Sequence, residues 1–209
     1  MVVVMGNDMN KPLFITFEGG DGSGKTTQSK RLHLYLKSKN IPCIWTREPG
    51  GTNIAELIRD VMVNNNMDVT TELLLALAAR NEHLQHVILP ALRKGEIVIC
   101  DRFIDSSLAY QGHKLGIEKV LKLHKEVFGD IMPDITFFID VEVQEGLARA
   151  KARGGNNRFD NAPVAMHEKL REYFLKLVDI FPERIIKIDG LKSPDEIENI
   201  IIERVENVR

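Results

Sequence analysis

Apolar residues along this chain recur with two alternating spacings. Residues 13–17, Leu-Phe-Ile-Thr-Phe, form a short β-rich run ending at glycines, the mark of a strand buried on both faces. Residues 25–39 carry helix formers. Residues 43–47 read as a second strand, closed by the breaker cluster Glu48-Pro49-Gly50-Gly51. Residues 53–64 and 70–94 are expected to be helical, and Gly95 stops the second. A buried strand follows at 97–100, a helix at 117–128, a strand at 135–141 and a helix at 143–153. Met166, Leu170, Tyr173, Phe174, Leu177, Val178 and Phe181 fall at helical spacing and mark one apolar face. A last strand is read at 185–188. Ser193-Pro194-Asp195-Glu196 then opens a helix with a capping box, and Ile197, Ile200, Ile201, Val205 and Val208 give it a core face. Strands alternating with helices predict an α/β fold whose mostly parallel sheet is covered on both faces. In such sheets ligands bind beyond the carboxyl ends of the strands, so the informative residues should follow each strand.

Composition narrows this picture. The 209 residues suit one domain, read as 11–209, after a loosely ordered extension at 1–10. Hydrophobic residues make up 44% and charged residues 28%, which excludes a disordered chain. The net charge of -2 gives no general attraction to nucleic acid or anionic membrane. No run approaches the ~20 apolar residues of a membrane span, and the N-terminus lacks the basic start of a signal peptide. A cytoplasmic chain is expected. Cys43 and Cys100 sit singly in apolar runs, with neither metal nor disulfide spacing, and read as buried core thiols.

The candidate chemistry begins at Gly19-Gly20-Asp21-Gly22-Ser23-Gly24-Lys25-Thr26, which matches G-x-x-x-x-G-K-[ST] between a strand and a helix. The glycines let backbone N–H groups turn toward phosphate oxygens, and the helix adds its positive N-terminal end. Gly19 to Thr27 are therefore the expected nucleotide cradle, with Lys25 on the β and γ phosphates of ATP and Thr26 on Mg²⁺. Asp101 ends the third apolar strand and reads as an acid near that Mg²⁺, or else as a helix cap. The lone Asn10-Lys11 precedes the cradle and starts no N-K-x-D motif, which disfavours a GTPase.

Arginines distinguish the remaining readings. Arg80 falls on the stripe of Leu73, Leu77, Leu84, Val87 and Ile88. A guanidinium there is costly unless paired, so it makes a structural salt bridge or points into a ligand cleft. Arg149, Lys151, Arg153 and Arg158 flank Gly154-Gly155-Asn156-Asn157, either as a solvated cationic face or as a lid near 149–161 that closes over phosphates. A nucleotide phosphate is its own nucleophile, so transfer to it needs no general base. The six histidines are scattered and receive no role.

Together the segments F-E-G-G-D-G-S-G-K-T-T at 17–27, T-R-E-P-G-G-T at 46–52, A-A-R at 78–80, D-R-F at 101–103, A-Y-Q-G at 109–112, P-D at 133–134 and A-R-A-K-A-R-G at 148–154 resemble the thymidylate kinases. The resemblance implies a P-loop NTPase fold with a five-stranded parallel sheet flanked by helices on both faces. It implies the reaction ATP + dTMP → ADP + dTDP with Mg²⁺, and a homodimer. By the same carry-over, Asp21 faces the acceptor nucleotide near its 3′-hydroxyl, Arg102 holds the dTMP phosphate and Arg80 donates to thymine O4. Tyr110 closes the space of a ribose 2′-hydroxyl. Glu48 and Pro49, often cis in the family, line the acceptor site with Arg47 beside it. Ser107 and Gln111 are further candidates for base or sugar contacts. Ser23 stands where some members have a basic residue, so the lid supplies the cation: Arg153 above all, with Arg149 and Arg158, adding to Lys25, Arg102 and Asp21 as the catalytic group.

One departure is Ala76, where the family commonly has a phenylalanine stacked on thymine; Leu77 or Phe103 would have to fill that place. The extension before Lys11 is another. A deoxynucleoside kinase and an ATP-dependent switch protein are the alternatives.

Overall fold

The computed structural model describes residues 12–154, 158–159 and 161–208. The expected extension at 1–10 and lid residues 155–157 and 160 lie outside it. The apolar runs become five strands: β1 (Phe14–Glu18), β2 (Cys43–Arg47), β3 (Ile97–Asp101), β4 (Ile135–Asp140) and β5 (Ile185–Asp189). All pair in parallel, in the order β2-β3-β1-β4-β5. Every residue of β1 and β3 is buried, as strands covered on both faces require. Alternation along β1 sends Phe14 to one core with Val98 and Cys100, and Ile15 and Phe17 to the other with Ile99 and Phe137.

The first core is covered by α3 (Val69–His83), α5 (Ile104–Tyr110), α7 (Ile117–Phe128) and α9 (Val164–Ile180). The second is covered by α1 (Lys25–Ser38) and α10 (Pro194–Val208). Helix α2 (Asn53–Asn64) packs on α3, and α4 (Leu89–Arg93), α6 (Gly112–Leu115) and α8 (Val143–Ala152) complete the chain. Helix α10 opens with the expected capping box: Ser193 N–H donates to Glu196 Oε2 at 2.9 Å and Glu196 N–H to Ser193 Oγ at 3.3 Å.

Three expectations change. The helix read at 70–94 is interrupted by a π-helical turn, Leu84–Ile88, before α4. Pro90 lacks the N–H that would continue an α ladder there. Helices α5 and α6 fill a stretch with no assigned element, because pieces this short show no periodicity. Cys100 is buried, whereas Cys43 is only half-buried on the edge strand β2; both are free.

One buried polar cluster ties the first layer to the sheet. Arg184 donates to both oxygens of Asp105, at 2.8 and 2.7 Å, and to Thr136 Oγ1 at 3.0 Å. Asp105 is 1% exposed and Arg184 11%. Removing one partner of such a pair leaves an uncompensated buried charge. Arg184→Ala should therefore cost about 3–5 kcal/mol in urea unfolding; a cost under about 1 kcal/mol would show that Asp105 finds another partner.

Candidate active site

The parallel register brings Arg47, Asp101 and Phe17 to one edge of the sheet, and the loops beyond it form the site. The glycine-rich turn after β1 runs into α1. Gly22 has φ 74° and lies so close to α8 that a Cβ would stand 1.8 Å from the Gly146 carbonyl oxygen. Only glycine fits both demands. Lys25 is buried and donates to the Gly20 carbonyl at 2.6 Å. Burial first, then the neighbouring Arg102, pushes its amine down to about 8. Thr26 donates its hydroxyl proton to Asp101 Oδ2, linking the start of α1 to the end of β3.

Gly22, Gly24, Lys25, Thr26 and Asp101 line a cleft with Arg47, Arg59, Arg102 and Arg153. Ser23 and Thr27 lie on its far side, in a groove with Arg149, Gly190 and Lys192. Gly19 and Gly20 stand behind, and their carbonyls accept from Arg102 and Lys25.

Arg102 connects this cleft to a second one. Its backbone is left-handed, with φ 75°. Its guanidinium donates to Gly19 O at 3.2 Å, Ser106 Oγ at 3.1 Å and Asp21 Oδ1 at 3.2 Å. Burial opposes ionisation of Asp21, but Arg102 and then Lys25 outweigh it and hold the carboxyl below its usual value. The second cleft, of about 730 Å³ with its open mouth, is lined by Asp21, Glu48, Pro49, Arg59, Arg80, Arg102, Ser107, Tyr110 and Gln111, with Ala76, Phe103 and Phe159 on its apolar walls.

At the inner end, Arg80 is 3% exposed. Its Nε donates to Glu48 Oε2 at 2.8 Å and its Nη2 to Ser107 Oγ at 3.0 Å. Arg80 is thus half of a buried ion pair and also lines the cleft. His83, fully buried, lies with Nδ1 3.0 Å from Glu48 Oε1 and Nε2 2.5 Å from Thr46 Oγ1. Burial would raise the Glu48 pKa, yet Arg80 and the His83 hydrogen bond bring it below the usual value.

Four buried atoms of these residues carry no partner: Asp21 Oδ2, Arg80 Nη1, Asp101 Oδ1 and Gln111 Oε1. An unsatisfied buried polar atom costs about 1–3 kcal/mol, so such a set is what a site for polar ligands leaves when ligands are absent. Asp101 Oδ1 beside the Thr26 hydroxyl is a hard-oxygen pair suited to Mg²⁺, which keeps several waters and needs few protein ligands.

Eight of the nine expected acceptor-side residues line the second cleft. The ninth, Arg47, faces the phosphate cleft and pairs with Glu56 at 2.6 Å. Of the three lid arginines, only Arg153 reaches that cleft. Arg149 pairs with Glu145 and donates to Gly190 O in the neighbouring groove. Arg158 lies against α2 and α3, where it donates to Met62 O at 2.6 Å and to Glu72. It does not line the phosphate cleft, because its guanidinium is taken up by the Met62 carbonyl and the Glu72 carboxylate.

Arg59 and His83 were missed. Arg59 shares the α2 face of buried Ala55 and Met62, the same signal that marked Arg80, and lines both clefts. His83 is one turn after Arg80 on the same face.

A family model for thymidylate kinase matches residues 17–201. The thymidylate kinase of Rickettsia bellii (strain RML369-C) is 48% identical over 90% of this chain and 93% of its own length. That of Rickettsia rickettsii (strain Sheila Smith) is 48% identical over 93% and 98%. The crystal structure of thymidylate kinase from Ehrlichia chaffeensis superposes with a TM-score of 0.73 at 36% identity, covering 93% of this chain and 98% of that one. The chain belongs to the thymidylate kinase family.

Two features of this thymidylate kinase family member bear on the sequence reading. The Glu48–Pro49 peptide is cis, as the resemblance implied. At the Ala76 departure, Leu77 packs in the core away from the cleft, and Phe103 reaches the cleft but lies under Arg80, 4.7 Å from ring centroid to guanidinium carbon. Phe159, next to Arg158, is a third aromatic wall beside Phe103 and Tyr110.

Glu18 supports the site from below. It accepts from the N–H groups of Phe103 and Ser106, at 2.8 and 3.1 Å, and from Ser106 Oγ at 2.6 Å. Burial, and next the charge of Asp105, push its pKa from 4.5 up to about 7. A carboxyl raised on folding lends stability that is complete below the unfolded pKa and is lost as pH rises through the folded one. Urea midpoints of the wild type should therefore fall between about pH 5 and about pH 8, relative to those of Glu18→Gln. Parallel pH profiles for the two proteins would contradict this.

Proposed function

We infer that this chain is a nucleoside monophosphate kinase that phosphorylates dTMP to dTDP, with ATP as phosphoryl donor and Mg²⁺ as cofactor. The observation that carries the reading is the polarity of the second cleft. Its inner end offers one buried unpartnered donor, Arg80 Nη1, and one buried unpartnered acceptor, Gln111 Oε1. Its mouth offers Arg102 and Arg59 beside the P-loop. Thymine presents an acceptor at O4 and a donor at N3, whereas cytosine reverses both. A base seated there would direct its 5′-phosphate toward Arg102 and Arg59. Asp21 Oδ2 would accept from the 3′-hydroxyl, and Tyr110 would occupy the space of a 2′-hydroxyl.

On the donor side, the P-loop N–H groups and Lys25 would hold the ATP phosphates, and Arg153 would face the group in transit. Thr26 and Asp101 would hold Mg²⁺, which when bound neutralises charge on the β and γ oxygens. Arg149 and Lys192 would border the donor base. The acceptor phosphate attacks in its own ionised form, so the protein contributes alignment and charge compensation rather than a base. Residues 11–209 would act as one domain, with the lid at 149–161. A homodimer belongs to the proposal: Ile54, Leu57 and Val61 on α2 and Leu74 on α3 are exposed apolar side chains of two packed helices that a second copy would cover. The cytoplasm, which holds the nucleotides used, is the proposed location. Among the described residues no helix is long and apolar enough to cross a membrane.

The test is ADP formation from ATP and Mg²⁺ with dTMP, dUMP, dCMP, UMP, AMP, GMP and thymidine in turn. dTMP should be turned over best, and dCMP and UMP poorly. Turnover of thymidine in preference to dTMP would move the chemistry to a sugar hydroxyl. ATP binding without acceptor-dependent turnover would leave a switch protein.

A further inference from the structure

Glu72 joins two parts of the molecule that no backbone element joins. It stands in the first turn of α3 and is 7% exposed. Its Oε1 accepts from Gln111 Nε2 at 2.5 Å, and its Oε2 accepts from Arg158 Nη2. Arg158 belongs to the lid, beyond Arg153. Besides Glu72, it reaches Met62 O through Nε at 2.6 Å, and its N–H donates to Val63 O at 3.2 Å. Its guanidinium covers the ring of Phe159 at 4.2 Å, and that ring meets Tyr110 edge-on at 5.4 Å. Arg153 thus lines the phosphate cleft and Phe159 the acceptor cleft, with Arg158 holding the neighbourhood of Phe159 to Met62 and Glu72.

The carboxylate also decides which way Gln111 points. A carboxamide can present either its oxygen or its NH₂ to the cleft. An ionised carboxylate only accepts, so it takes the NH₂ and leaves Oε1, buried and unpartnered in a residue that lines the cleft, as the atom free to accept. With the amide reversed, the cleft would show two donors, Arg80 and Gln111, and thymine N3–H would meet one of them.

We propose that Glu72 is a positioning residue that sets acceptor-base selectivity through Gln111 and, through Arg158, ties the Phe159 wall of the same cleft to that selectivity. The proposal rests on the dTMP kinase reading above. Glu72 touches neither substrate. It fixes the acceptor that reads N3–H and, with its other oxygen, holds Arg158, whose guanidinium covers the Phe159 ring that walls the same cleft. A base that disturbs Gln111 would disturb the carboxylate that seats Arg158.

The test uses the full chain and compares wild type, Glu72→Gln, Arg158→Gln and the double variant. It measures kcat and KM for dTMP and dCMP at saturating ATP, and KM for ATP. Glu72→Gln supplies an NH₂ that lets Gln111 reverse. It should lower the ratio of kcat/KM for dTMP over dCMP about tenfold or more, mainly by raising KM for dTMP, with KM for ATP within about twofold. Arg158→Gln lies on the lid, away from the core, and reads the proposal even where Glu72→Gln folds poorly. It should raise KM for dTMP about threefold to tenfold and leave KM for ATP unchanged. The double variant should be little worse than Glu72→Gln, because both changes break one linkage. An unchanged dTMP over dCMP ratio in Glu72→Gln would overturn the proposal. So would an Arg158→Gln effect falling on KM for ATP, or on kcat equally with both acceptors, since that is the behaviour of an arginine serving the donor phosphates. A wild type that does not use dTMP would instead overturn the kinase reading itself.

Discussion

The ion pair between Arg102 and Asp21 is the contact on which the rest of the site depends. It crosses from the end of β3 to the P-loop after β1 and holds together the walls of two clefts. Burial alone would push the Arg102 guanidinium toward losing its charge. Its neighbours reverse that, and its pKa ends above the ordinary arginine value. The left-handed backbone at Arg102 turns the chain from β3 into α5, and the N–H groups of Phe103, just before that helix, and of Ser106, in its first turn, rest on Glu18. Ser106 hydrogen-bonds to both Glu18 and Arg102, so the buried end of β1 and the cleft share one network.

Around this pair the fold uses close backbone approach and charge compensation in place of loop flexibility. Gly22 against Gly146 presses the P-loop onto α8, the helix that carries Arg149. On the acceptor side, Thr46, His83, Glu48 and Arg80 form a chain of buried polar groups in which each partner limits the freedom of the next. Such a network is costly if half-satisfied. Here the atoms left over point to a ligand rather than to a defect, because they belong to residues lining connected clefts.

Much of this was legible in the sequence wherever local chemistry dictates geometry. A glycine-rich turn between a strand and a helix has few other uses, and Arg80 announced itself by interrupting an apolar stripe. Arg59 carried the same signal, but on a helix with only two buried positions, Ala55 and Met62, the stripe was too thin to read. His83 looked like any core histidine, since its partners Thr46 and Glu48 are over 30 residues away. Arg158 could not be placed from its spacing to Arg153. Both are arginines beside a glycine loop, and only the tertiary position of Glu72 and of the Met62 carbonyl separates them. Helices α5 and α6 escaped for a different reason: they are set by what they dock on, not by their own periodicity.

The central claim is that Arg102 receives the acceptor's phosphate where the two clefts meet. Calorimetric titration of dTMP and of thymidine, without donor, into the wild type and Arg102→Met tests it most directly. The wild type should bind dTMP about a hundredfold more tightly than thymidine, and Arg102→Met should cut that ratio to about tenfold or less, beyond whatever both ligands lose with the Asp21 contact. Equal affinity for the two ligands in the wild type, or equal loss of both in the variant, would contradict the account.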